Sequence, residues 1–141
     1  MAYDPQNLFA RIVRGEIPCI RVHEDAETLA FMDIMPQADG HTLVIPKVAG
    51  ATILDTPEGS LAAVIRSTQR VARAVQQAFT PTGLVITQFN GPAAGQTVFH
   101  LHFHVIPVYS GGPWRAHARE KADPAALEAH AALIRAALRG A

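Results

Sequence analysis

Three imidazoles, His100, His102 and His104, stand at i, i+2 and i+4 within Gln96-Thr97-Val98-Phe99-His100-Leu101-His102-Phe103-His104-Val105-Ile106-Pro107. A helix would turn successive members by roughly 200° per two residues and scatter them, whereas a β-strand sets all three on one face. Phe99, Leu101, Phe103 and Val105 then fall on the opposite face, bulky enough to anchor the strand on a core. Such a row of imidazoles suits two chemistries. It can bind zinc or iron, as the active centre of a metal-dependent hydrolase or oxygenase. Alternatively, one neutral imidazole attacks phosphorus while its neighbours set tautomer, orientation and proton transfer. An inert polar strand is the third reading, though three histidines in five residues are poor surface filler.

The surroundings bear on the choice. Gly95-Gln96-Thr97 offers backbone amides, a side-chain amide and a hydroxyl, neutral donors suited to phosphate oxygens. Carboxylates that would help a cation are scarce, Glu58 being the only one between Asp55 and Glu120. Asp33 lies among Phe31, Ile34 and Met35, where a carboxylate calls for a partner.

The elements that must position these groups follow from pattern. Apolar residues at 8, 9, 12 and 13 predict a short helix over 8–14, with Asn7 at the N-cap and Gly15 as the stop. Strands are expected over 19–23 and 28–33, joined as a hairpin, and over 41–46, closed by Pro46. Thr56-Pro57 reads as an N-cap and first helical residue before the main amphipathic helix over 61–79, with apolar positions 61, 64, 65, 71, 72, 75 and 79. A fourth strand over 84–89 and the loop 90–95 lead into the histidine strand. Asp123-Pro124 caps a last helix over 125–139 with Leu127, Leu133, Ile134 and Leu138 as its stripe. The sum is α+β: a five-stranded antiparallel meander with one long helix, shorter N- and C-terminal helices, and helices packed on one face.

The chain has 141 residues, 49% of them apolar, enough for one domain with a real core. Twelve basic residues balance twelve acidic ones without a Lys/Arg run, so the footprint of a nucleic-acid binder is missing. The lone Cys19 excludes an intramolecular disulfide and any multi-cysteine zinc site and agrees with a cytoplasmic location. The N-terminus does not read as a signal peptide, and no apolar run approaches the ~20 residues of a membrane span.

The run His100-Leu101-His102-Phe103-His104-Val105-Ile106 resembles the signature of the histidine triad (HIT) nucleotide hydrolases and transferases. Three further blocks look like the Hint-like bacterial branch: Ile12-Val13-Arg14-Gly15-Glu16-Ile17-Pro18, the stretch from Ala30 to Lys47, and Gly91-Pro92-Ala93-Ala94-Gly95-Gln96-Thr97-Val98-Phe99-His100. The resemblance spans about 8–110, leaving a C-terminal extension with its helix over about 111–141. It implies a HIT-like fold and cleavage of purine nucleoside 5′-phosphoramidates, acyl-adenylates or dinucleoside polyphosphates, with AMP or GMP as the nucleotide. It implies His102 as nucleophile, His104 on the phosphate or leaving group, His100 orienting the nucleophile and His41 extending the relay. Asp33 would take the ribose hydroxyls, while Phe9, Ile12, Phe31, Ile34 and Leu43 would form the base pocket. Asn90, Gln96 and Thr97 would serve the phosphate and leaving-group side. No cofactor is implied, and a homodimer joining two sheets is. Relatives that hold a structural zinc carry cysteines where Asn7 and Ala10 stand here, so that metal is not expected. The rival readings are a metal-dependent enzyme and a nucleotide-binding interaction protein with little catalysis. Trp114, after Ser110-Gly111-Gly112-Pro113, would cover the site or a partner, and His23, His117 and His130 read as solvated.

Overall fold

Strand β5 (Phe103–Val108) lies inside a five-stranded antiparallel sheet with β3 (Thr42–Pro46) on one side and β4 (Gly83–Thr87) on the other. The order is β1-β2-β3-β5-β4, with β1 at Arg21–Glu24 and β2 at Thr28–Met32. The expected meander thus holds for the first three strands only. Helix α2 (Glu58–Phe79) carries the chain from β3 to the far edge, and β5 returns into the gap between β3 and β4. The computed structural model describes residues 2–110 and 120–140; Trp114 and His117 lie outside them.

Both faces of the central strands are covered, which is why β2 and β3 read as continuous apolar runs and not as alternating ones. Leu29, Phe31, Leu43 and Ile45 pack with Phe9 and Ile12 of helix α1 (Leu8–Val13) on one face. Ala30, Met32, Val44, Leu101, Phe103 and Val105 pack on the other with Val64, Val71 and Val75 of α2. That second cluster also takes in Leu127, Ala131, Ile134 and Ala137 of helix α3 (Pro124–Arg139). The expectation of helices on one face therefore fails for α1, whose short apolar stripe closes the opposite side.

The histidine stretch is only partly strand. The ladder begins at Phe103, so His104 belongs to β5 while His100 and His102 precede it. Leu101 N–H donates not to a neighbouring strand but to the Gly50 carbonyl, at 2.9 Å. Alternation survives the loss of pairing at Leu101, Phe103 and Val105, which enter the helix-side core, but Phe99 is not among its members.

Helix ends show the remaining differences. Asn7 caps α1 by accepting from Ala10 N–H at 2.9 Å, and Asp123 caps α3 by accepting from Ala125 N–H at 3.0 Å. Thr56 does not cap α2; its hydroxyl donates to the Thr52 carbonyl at 2.7 Å, and Pro57 occupies the cap position without a side-chain bond. Ile65 and Leu133, both placed in apolar stripes by spacing, are 50% exposed, and Ala63, Ala74, Ala131 and Ala137 are buried instead. Small residues let the helices approach the sheet and each other closely, so the seam shifts toward alanine. Among the described residues no helix is long and apolar enough to cross a membrane.

Candidate active site

Antiparallel pairing places directly opposed residues on the same face, and this rule assembles the site. His104 stands opposite Leu43, and Leu43 opposite Phe31. Two residues from Leu43 is His41, and two from Phe31 is Asp33, so all five point to the α1 side. Backbone bonds hold the turn there: Asp33 N–H donates to the His41 carbonyl and His41 N–H to the Ala38 carbonyl, both at 3.1 Å. Asp33, Phe31, Leu43 and His104, with His102 and Thr97, border a cavity of about 260 Å³ whose apolar wall includes Phe9, Ile12, Phe31, Ile34 and Leu43, while His41 stands behind His104.

Hydrogen bonding determines where each imidazole carries its proton. His102 Nδ1 is 2.7 Å from the His100 carbonyl, which can only accept, so Nδ1 holds the proton and Nε2 the lone pair. Phe9 stands edge-on to the same ring, with centroids 4.9 Å apart at 90°, and fixes its plane. Gln37 N–H donates to His41 Nδ1 at 3.0 Å, which leaves the His41 proton on Nε2. That nitrogen is 3.0 Å from His104 Nδ1. Donation along this contact puts the His104 proton on Nε2. Two neighbouring rings, with centroids 5.1 Å apart, thus have opposite characters: His102 presents a base and His104 an acid.

His100 is 1% exposed and takes no part in the cavity wall. Its Nε2 donates to the Pro46 carbonyl at 2.7 Å and its Nδ1 accepts from the Tyr3 hydroxyl at 2.7 Å. Burial pushes its pKa below the ordinary value, with the Pro46 carbonyl opposing and His102 adding to the shift. The three histidines therefore do not converge on one point as ligands would.

Asp33, His41 and His104 do bring three ligand-type atoms within 4.8 Å of one another. Coordination through His41 Nε2 would require removal of its proton while Nδ1 still accepts from Gln37, leaving an imidazolate. Asp33 Oδ2, 3.4 Å from His41 Nε2, is better placed to share that proton than a cation. Asp33 Oδ1 meanwhile accepts from Met35 N–H at 2.8 Å and fixes the carboxylate at the cavity edge.

Two expected ligand residues stand behind the cavity instead of in its wall. Gln96, 3% exposed, donates to the Ala51 and Val98 carbonyls and accepts from Gly91 N–H, bracing the loop before the triad. Asn90 Oδ1 accepts from Ile53 N–H at 2.9 Å and joins that loop to the segment after β3. Ile34 borders the cavity but is 46% exposed, a rim residue. His23 is not solvated: its side chain is 14% exposed and its Nε2 lies 3.2 Å from Asp25. His130 packs edge-on against Phe79, with centroids 5.4 Å apart. Pattern reading missed Tyr3, Cys19 and the Gln37 amide. Cys19 borders the cavity, with burial pushing its thiol pKa up and suppressing the thiolate.

The model of the HIT domain matches residues 14–111. The chain belongs to the HIT family. A Hit-like protein from Bartonella henselae superposes with a TM-score of 0.91 at 47% identity, covering 97% of this chain and 99% of that one. The protein hit of Bacillus subtilis is 39% identical over 116 residues, 79% of this chain and 80% of its own. The adenosine 5′-monophosphoramidase hnt1 of Schizosaccharomyces pombe is 40% identical over 100 residues, 71% of this chain and 72% of its own. The α+β arrangement described above is the HIT fold, and the extension beyond 111 adds α3 to its helical face.

Proposed function

We propose that this HIT protein is a metal-independent nucleotide hydrolase or transferase cleaving purine nucleoside 5′-phosphoramidates, acyl-adenylates or dinucleoside polyphosphates at the α-phosphorus. The observation that carries the proposal is the 2.7 Å bond from His102 Nδ1 to the His100 carbonyl, which selects the tautomer whose neutral ring carries its lone pair on Nε2, at the cavity wall. The similarity to a phosphoramidase supports the same substrate class.

In the first step His102 Nε2 forms a bond to the α-phosphorus and the bond to the leaving group breaks. A leaving amine takes the proton from His104 Nε2 while His41 Nε2–H goes on donating to His104 Nδ1 across the 3.0 Å contact, and the charge left on His104 faces the phosphoryl-imidazolium formed at His102. In the second step water bonds to phosphorus and the His102–phosphorus bond breaks. The nucleoside monophosphate leaves and the water proton passes back to the His104–His41 pair. Thr97 and the loop that Gln96 and Asn90 brace present donors to the phosphate, and Asp33 accepts from the ribose hydroxyls. The base lies against Phe9, Ile12, Phe31, Ile34 and Leu43.

Purified protein is expected to turn over a fluorogenic adenosine 5′-phosphoramidate in the presence of EDTA. His102→Ala is expected to lose nearly all of that activity. Undiminished turnover by the variant would remove His102 as nucleophile, and turnover abolished by EDTA would return the metal-dependent reading.

A further inference from the structure

His100 raises a problem of support. It precedes the first paired residue of β5, so the sheet ladder does not hold the backbone that carries it. Yet its carbonyl is the acceptor that fixes the tautomer of His102. A carbonyl in an unpaired segment would point variably, and the nucleophile with it. Something other than strand pairing must hold residue 100.

Leu101 N–H, in the same peptide plane as the His100 carbonyl, donates to the Gly50 carbonyl at 2.9 Å, and the His100 side chain adds a second hold from the other side of its Cα. At 1% exposure, both ring nitrogens of His100 need partners inside the protein. The Pro46 carbonyl, on the adjoining strand β3, can only accept, so Nε2 carries the proton. Nδ1 then bears a lone pair and needs a donor. The phenol of Tyr3 stands 2.7 Å away with its ring at 61° to the imidazole. Tyr3 lies in the segment that leads into α1, and α1 sets Phe9 edge-on against His102. One N-terminal segment thus touches two of the three triad rings.

We propose that Tyr3 is a positioning residue for the reaction, its hydroxyl donating to His100 Nδ1 and thereby clamping the His100 carbonyl that orients the His102 nucleophile. Tyr3 is absent from the cavity wall, so its contribution falls on the chemical step and not on substrate binding. The depressed pKa of His100 works in the same direction, since a neutral ring can accept from the phenol.

This inference rests on the nucleotide-hydrolase reading for its kinetic consequence but not for its structural one, so two measurements separate them. In wild-type protein with nitrogen-15-labelled histidine, His100 is expected to show Nδ1 unprotonated and Nε2 protonated. Tyr3→Phe, which removes one oxygen and keeps the ring, is expected to disturb that pattern. The same variant is expected to lower kcat on the adenosine phosphoramidate by about 10- to 100-fold, with KM within about twofold, as a small misalignment of a nucleophile does. A protonated His100 Nδ1 in the wild type, or a Tyr3→Phe variant with unchanged kcat, overturns the clamp. Absence of turnover in the wild type would refute the proposed function, and the nitrogen spectra would still decide the clamp.

Discussion

At the scale of single residues, the candidate site gives chemically identical side chains unlike surroundings. His100, His102 and His104 share a residue type, but a carbonyl at Nδ1 makes His102 a base, a histidine at Nδ1 makes His104 an acid, and full burial makes His100 a strut. The strut carries a pH signature. Its pKa in the folded chain lies below the ordinary 6.5, so between the two values the unfolded chain binds more protons. Stability gained by keeping His100 neutral is complete above the ordinary value and is lost as pH falls through the folded one. The thermal midpoint of the wild type is therefore expected to drop more steeply from pH 7 to pH 5 than that of His100→Gln. Parallel curves would show that His100 does not contribute to the acid response.

At the scale of elements, spacing identified each helix, but tertiary packing chose the face it buries. Leu133 and Ile134 are adjacent and both fit the apolar stripe of α3, but Ile134 is fully buried against α2 and the sheet while Leu133 is 50% exposed. Ile134→Ala is expected to cost about 2–5 kcal/mol in chemical denaturation, because it opens a cavity between the two helices. Leu133→Ala is expected to stay within about 0.5 kcal/mol. Comparable losses for both would mean that α3 is rotated on its bed. The β1–β2 turn is held more locally: Asp25 accepts from the Glu27 and Thr28 amides and the Thr28 hydroxyl. Burial there raises its pKa, but these donors outweigh it and bring the carboxyl down to about 2.

At the scale of the whole molecule, the two sheet edges differ. Along β1, Arg135 of α3 donates to the Arg21 carbonyl at 2.7 Å and crosses the strand end. β4 forms the other edge of the sheet, with Ile86 45% exposed. A second copy pairing there would join two sheets about a twofold axis, which would satisfy the homodimer that the family resemblance implies. Sedimentation equilibrium at micromolar concentration is expected to give about twice the chain mass of 15.1 kDa, and Ile86→Lys to shift the population toward single chains. A single-chain mass for the wild type would rule the pairing out.

Local pattern settled what depends on neighbours in sequence: the α+β class, the strands and the three helices; it also singled out the triad as the candidate chemical centre. Asp33 was also legible, because a carboxylate among Phe31, Ile34 and Met35 calls for a partner, whereas His41 came only from the resemblance to the family. What local pattern could not supply were contacts across sequence distance. The position of β5 between β3 and β4, α1 on its own face of the sheet, and the retreat of Gln96 into the loop all depend on long-range pairing and packing. Above all, a row of three histidines has a symmetry that periodicity cannot break. Only the fold brings the Pro46 carbonyl, the Tyr3 hydroxyl and the His41 ring to different nitrogens, and those partners decide which imidazole holds a proton and which holds the lone pair.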